Sequence, residues 1–440
     1  MSDFYFKLVI LFVGGLVAAL VIFTNWERYK ILLVFFLMAL FAQTGFAYEI
    51  KPWIPTSVAE MLYFCLLILM VLMHFKNRNA IQDIGMSWPI RVYLLCSFVG
   101  IISALSFDVL PVNIFIEIKS YVGYVFYLYL IPFLLDKKED IYKCLWGFVI
   151  FSVIPLLHVI PNLGSLSAIE SKRVDIALTW GALNIFIGYI LPFLFVAIGL
   201  LSTTSSLTKR FFLIGMITVS LYALFYSKTR IGWMAFSASF LIYSLLSKNR
   251  IKIIFAVLVL VFLVLASDQI EHVQSIVKGR IFDQTLEHQD SSLQKRLSMW
   301  ETATATFNSY PLFGSGWGGY LYRLPYGGVS KTSVVALPRW HNSFYEIMSQ
   351  LGLFGLVSFY WIWFRIGKMS ISAWRKVREP RDRAILTGLI SALAAIFVYS
   401  FGEQQFFRIE TASVSWFFAG LLVFCAQKVR SDLASDEHGK

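Results

Sequence analysis

The sequence predicts an all-α polytopic membrane protein with about twelve to thirteen transmembrane helices and one large, partly helical loop late in the chain. Three observations lead there. Of 440 residues, 58% are hydrophobic and 15% charged, with a mean hydropathy of +0.70, too apolar for one soluble core. Apolar runs near the length of a bilayer-spanning helix recur with short polar breaks, so the backbone satisfies its hydrogen bonds within helices. The one long polar interruption, from about Ser267 to Trp340, ends in RWHNSFYEIMSQLGLFGLVSFYWIWF, Arg339 to Phe364, where polar chain turns into membrane helix.

In chain order, helices are expected at about 8–23, 31–47, 58–74, 90–106, 114–135, 142–160, 181–201, 209–226, 230–246, 251–267, 341–364, 385–401 and 410–427. The first run starts too early and is too long for a cleavable signal, so it reads as a membrane helix. The chain then divides into helices over 1–266, a loop over 267–340, and helices with a short tail over 341–440. Alternate connections carry NWERYK, HFKNRN, DKKEDIYK, LTKR, SKNRIK, RKVREPRDR and the tail QKVR. The positive-inside bias makes those cytoplasmic and puts the large loop on the outer face. A net charge of +12 in such a chain reflects loop topology and contact with anionic membrane lipids, not nucleic acid. Cys65, Cys96, Cys144 and Cys425 lie in or beside apolar runs without CxxC spacing, so neither a disulfide framework nor a zinc site is indicated.

The large loop alternates helix and turn signals. Asp290 and Ser291 are placed to cap a helix, SLQKRLSMWETATATF, with Leu293, Leu297, Trp300 and Phe307 on one face; Pro311 closes it. PLFGSGWGGY follows, and its glycines permit sharp turns and close backbone approach. Rings near these turns, Trp300, Trp317 and Tyr320 in the loop and Tyr345 just beyond it, suit stacking on sugar faces. They equally suit the headgroup belt, where Trp and Tyr are enriched.

Of the six histidines, His341 alone has a dense polar neighbourhood, with Asn342 beside it. Near neutral pH an imidazole can take a proton from a sugar hydroxyl, and a helix N-terminus disfavours the imidazolium. Taken alone, the residue reads as readily as an interfacial histidine, and Gly352 and Gly355 as small residues for close helix packing. Arg230, Arg296 and Arg339, with Arg173 and Arg408, fall on the outer side. Each could snorkel to headgroup phosphates or hold a diphosphate by bidentate, charge-assisted bonds. Arg230, with a polar YSKT run before it and an apolar run after it, favours the second use. Arg408 sits in GEQQFFRIE, where Glu403 and Glu410 are expected to neutralise it. Glu346, one turn below Asn342, could orient a neighbour, but the plainer expectation is that it pairs with a basic residue.

The order of these parts resembles the O-antigen ligase and O-antigen polymerase superfamily of bacterial envelope glycosyltransferases. His341, Asn342, Gly352 and Gly355 match its histidine-asparagine, nine residues, glycine, two residues, glycine motif without a gap. Arg230 matches the family's arginine at a helix start, although Met234 stands where the pattern has leucine. The likeness covers about 180–365 in detail and the first 160 residues by hydropathy. It implies a membrane-embedded glycosyltransferase of the C type, in a bacterial inner membrane with its site facing the periplasm, working without a cofactor or metal. Its donor would be an undecaprenyl diphosphate-linked glycan. Its acceptor would be lipid A core for a ligase, a second lipid-linked glycan for a polymerase, or a protein side chain for related transferases. His341 would then be the base, with Arg230, Arg296 and Arg339 around the diphosphate and Asn342, Trp300, Trp317, Tyr320 and Tyr345 supporting the glycan.

Asp283, Glu287 and Asp290 share one helix-spaced face and form the weaker, cation-binding alternative. A flippase for lipid-linked sugars would show repeats and ionisable residues near the bilayer midplane. Here the ionisable residues gather at helix ends and in one loop. A structural scaffold would tolerate His341→Ala.

Overall fold

The structure, a computed structural model, describes residues 30, 33–34, 58–77, 83–107, 109–156, 183–227, 229–247, 291–319 and 340–438. The expected helices at about 8–23 and 251–267, and all but three residues of the region before Val58, lie outside these, as do Arg173, Asp283, Glu287, Asp290, Tyr320 and Arg339.

The described chain is helical: α1 (Val58–Lys76), α2 (Ser87–Leu105), α3 (Pro111–Tyr121), a 3₁₀ turn (Gly123–Phe126), α4 (Tyr127–Leu134), α5 (Lys138–Phe151), α6 (Leu183–Leu201), α7 (Leu207–Tyr226), α8 (Arg230–Leu246), α9 (Ser291–Ser309), α10 (Ser343–Lys376), α11 (Pro380–Tyr399) and α12 (Ile409–His438). Seven described segments are long and apolar enough to cross a membrane. The protein is an all-α polytopic membrane protein.

α6 and the 411–426 stretch of α12 form the centre of the bundle, buried along almost their whole lengths. α6 meets α11 at backbone distance: a side chain on Gly388 would begin 2.7 Å from the Phe195 carbonyl oxygen and 3.1 Å from the Gly199 Cα. Small residues at such crossings let helices gain packing contact where lipid offers no hydrophobic drive. α12 lies on α4 in the same way, with Gly420 against the Tyr127 carbonyl.

Two expected helices are broken. The single helix foreseen over 114–135 divides at Val122 into α3, the 3₁₀ turn and α4. Tyrosine hydroxyls meet carbonyls at the break: Tyr63 donates to Gly123 at 2.6 Å and Tyr93 to Tyr121 at 3.1 Å. A break inside the bundle persists when its backbone groups find partners.

The helix foreseen over 341–364 runs on to Lys376 and breaks at Gly352, which has φ 64° and ψ −160°. The glycine turn of the loop fills this break. Ser315 and Gly316 donate to the Ser349 and Gln350 carbonyls at 3.0 and 2.9 Å, and Leu353 and Phe354 donate back to Pro311 and Leu312 at 2.8 and 3.2 Å. Each strand of chain thus supplies what the other lacks. Gly314 must be glycine here, because at φ +69° its Cβ would lie 2.3 Å from the Gln350 carbonyl carbon. The role expected for Gly352, helix packing, is therefore a backbone one: it opens the helix to receive the loop.

α9 also differs from expectation. Its inward face runs through Arg296, Met299 and Trp300, partly buried, and Ala303 and Thr306, buried, while Leu297 points outward. The polar residues on that face take the inward place expected for Leu297, because the helix packs on a polar site.

Candidate active site

One end of the bundle collects the starts of α6, α8, α10 and α12 and the end of α11. The first turn of α10 is capped by Asn342, whose side-chain oxygen accepts from Phe344 N at 2.9 Å and Tyr345 N at 3.4 Å. The same side chain donates to the Phe401 carbonyl at 2.7 Å, and Ser343 N donates to Ser400 O at 2.9 Å. Asn342, expected near the glycan, thus fixes the helix start to the α11–α12 connection, residues 400–408.

That fixing brings His341 to Glu403. His341 Nδ1 lies 3.2 Å from Glu403 Oε2, and the opposite carboxylate oxygen accepts from Arg296 at 2.7 Å and from Asn184 Nδ2 at 2.6 Å. A second Arg296 nitrogen donates to the Gly402 carbonyl, also at 2.7 Å. Glu403 is buried, and His341 and Arg296 are partly open. Burial works to raise the Glu403 carboxyl, but the hydrogen bond and charge of His341 and the Arg296 guanidinium outweigh it and hold it below the usual carboxylate range.

Glu403 does not serve chiefly to neutralise Arg408, as its place in GEQQFFRIE suggested; it pairs with Arg296 and His341. The field at the imidazole also differs from the sequence expectation. With Nδ1–H donated to a carboxylate, the lone pair sits on Nε2, and the carboxylate stabilises the charge the ring gains on taking a proton.

His341 has φ +50°, the one described non-glycine residue in the left-handed region. Such a backbone costs about 1–3 kcal/mol and persists where its surroundings over-determine it. Trp340 supplies that constraint. Its N–H donates to Glu346 Oε2 at 3.1 Å, its carbonyl accepts from the Trp300 indole at 2.9 Å, and its own indole donates to Ser349 Oγ at 3.1 Å.

Arg230 opens α8, and its neighbour Ile231 packs on Gly402: a Cβ there would lie 2.6 Å from the isoleucine. The start of α8 is therefore adjacent to the Glu403 connection, with the Arg230 side chain exposed. Trp300 and Tyr345 stack with centroids 5.4 Å apart at 14°, both partly exposed, with Trp300 also bonded to the carbonyl of Trp340, the residue before His341. Trp317 is elsewhere. It is fully buried, its indole donating to the Ser97 carbonyl at 2.9 Å and its ring packed on Tyr121, so it wedges the loop into the bundle and offers no face to a sugar. Gly355 lies in the turn after the break, against Leu351.

A histidine paired with a buried carboxylate that Arg296 also holds, at one end of a membrane helix bundle, is an arrangement able to exchange a proton beside a cationic group. Residues 214–360 match the family described as O-antigen ligase. The match covers about a third of the chain and takes in Arg230, Arg296, His341 and both motif glycines, which bears out the resemblance to the O-antigen ligase and polymerase superfamily. It supports a membrane glycan-processing enzyme of that type, acting on lipid-linked glycans. No curated protein matches the chain. Glu403 and Asn184, which complete the cluster, lie outside the matched residues.

Proposed function

We propose that this protein is an O-antigen ligase: it transfers a glycan from undecaprenyl diphosphate to a hydroxyl of lipid A core, on the periplasmic face of a bacterial inner membrane. The observation that supports glycosyl transfer is the His341–Glu403–Arg296 cluster near the α8 start, which serves equally a polymerase that would use a second lipid-linked glycan as acceptor. His341 Nε2 takes the acceptor hydroxyl proton, and the oxygen attacks the anomeric carbon. As that C–O bond forms, the bond from the anomeric carbon to the diphosphate breaks, and its electron pair leaves with undecaprenyl diphosphate. Arg230 and the outer N–H groups of Arg296 would meet the growing charge on the diphosphate, the role that the family resemblance also gives Arg339, which lies outside the described residues. Of the five guanidinium N–H donors, Arg296 commits two to Glu403 and Gly402, which holds the remaining fork in place. The stacked Trp300–Tyr345 pair offers an aromatic edge to the glycan. No step requires a metal.

The basic connections support the sidedness. Lys138, Asp382 and Asp432 cluster at the opposite end of the bundle, among Lys137, Arg381, Arg383 and Arg430, where the positive-inside bias expects the cytoplasm.

The test uses purified protein with undecaprenyl diphosphate-linked glycan and lipid A core. Release of undecaprenyl diphosphate is expected, and normal turnover by His341→Ala would remove the base assignment. Envelope glycans of a deletion strain separate ligase from polymerase. Bare lipid A with polymer retained on undecaprenyl diphosphate means ligase, while a single repeat attached to lipid A means polymerase.

A further inference from the structure

Beneath the cluster lies a second carboxylate that the proposed reaction does not use. Glu346 is fully buried, one turn into α10. Its Oε2 accepts from the backbone N–H of Trp340 at 3.1 Å and from Gln404 Nε2 at 3.3 Å; its Oε1 accepts from the Tyr121 hydroxyl. Trp340 is the residue before His341, and Gln404 is the residue after Glu403. One carboxylate oxygen therefore grips the chain on both sides of the His341–Glu403 pair.

We propose that Glu346 is the positioning residue of this site: it sets the separation of His341 from Glu403 by holding Trp340 and Gln404 on one oxygen. The inference rests on the reading of His341 as the base. The left-handed backbone at His341 makes the need concrete, because that residue relaxes toward ordinary φ values once the N–H before it is released. Tyr121 fixes the other oxygen. Its ring stacks on Phe407 at 4.1 Å and its hydroxyl also accepts from Gln350 Nε2 at 3.1 Å, so the brace is anchored in α3, in the connection and in the inner end of the half-helix before Gly352. A carboxylate suits the place because it only accepts, and Trp340, Gln404 and Tyr121 each donate to it.

The experiment compares Glu346→Ala, Glu346→Gln and Gln404→Met in the full-length protein, in membranes of a strain lacking the native copy. Undecaprenyl diphosphate-linked glycan and acceptor lipid extracted from that strain serve as substrates. Glu346→Ala should lower kcat by about ten- to a hundredfold with KM for either substrate little changed, the signature of misplacement rather than lost binding. Glu346→Gln should recover most of that loss, since the amide oxygen can still accept from Trp340 and Gln404 while its NH₂ turns to the Tyr121 oxygen. Gln404→Met removes one arm at nearly constant volume. It strands no partner for the other amide atom, because Gln404 Oε1 has no hydrogen-bond partner in the structure. It should cost kcat severalfold at normal protein abundance.

If Glu346→Ala fails to accumulate, Gln404→Met alone decides. Unchanged kcat in either accumulated variant overturns the positioning role, as does a loss shared equally by Glu346→Gln and Glu346→Ala. Should His341→Ala turn over normally, the base assignment itself falls; full loss in His341→Ala with normal Glu346→Ala removes only the present inference.

Discussion

His341 stands between two kinds of constraint. Its side chain answers to Glu403, and its backbone to the bonds on Trp340 and Asn342. The carboxyl of Glu403 sits below the usual range, so the folded state binds its proton more weakly than the unfolded chain does. Its contribution to stability is fully present above the ordinary carboxylate range and disappears as pH falls through the lower, folded value. Thermal unfolding of the detergent-solubilised protein should therefore show an acid limb that Glu403→Gln flattens, measured as midpoint against pH. The same substitution should lower turnover by roughly ten- to a thousandfold, because the imidazole loses both its orientation and the charge opposite it. Normal turnover by Glu403→Gln would show that Nδ1 needs no carboxylate. The histidine and its asparagine were legible in the sequence from their spacing to the two glycines. Glu403 was visible only as a charge beside Arg408, because the contact with His341 spans 62 residues and depends on how α11 returns to the site.

At the scale of the element, α10 is two helices joined by a glycine in a conformation that other residues avoid. Gly352→Ala combines that backbone strain with a Cβ placed 2.5 Å from the Leu312 carbonyl carbon, and it should cost about 3 kcal/mol or more in stability. Gly367→Ala, in the same helix with nothing within 4 Å of its Cβ position, is the control and should be neutral or stabilising by up to about 1 kcal/mol. Unfolding midpoints of the two variants measure both. The apolar pattern through Gly352 gave no sign of the break, since glycine is common in unbroken membrane helices. The turn signals in PLFGSGWGGY were plain, but their partner was not, because only the fold brings Pro311 to Leu353. α9 shows the converse. Its limits followed from Ser291 and Pro311 and its inward Trp300 from helical spacing, but Leu297 faces outward, since the site beneath the helix is polar and takes Arg296 and Thr306 instead.

Across the molecule, charge divides the two ends. The His341 end holds its ionic groups in a paired cluster, and the other holds the basic connections around Lys138 and Arg381–Arg383. A periplasmic reporter fused near Gly327 should be active and one near Glu379 silent; the reverse pattern would turn the site toward the cytoplasm and remove its substrates. The class of fold was legible from hydropathy alone, because span length and the demand for internal hydrogen bonds leave few choices. Which helices occupy the centre was not: α6, α7 and α12 are all strongly apolar, and only packing distinguishes α6 and α12, enclosed, from α7, largely exposed.

The interlock of Ser315 and Gly316 with Ser349 and Gln350 also bears on how such proteins can be recombined. A chimera that exchanges the whole interval from Ser291 to Trp340 would separate two sequences that complete each other's backbone and would lose the Trp317 wedge. Junctions placed after Gly319 and before Trp340 leave both anchored pieces with their own partners. The interval between those junctions is thus the one open to exchange on these grounds, while the turn and the helix it fills are inherited as a unit.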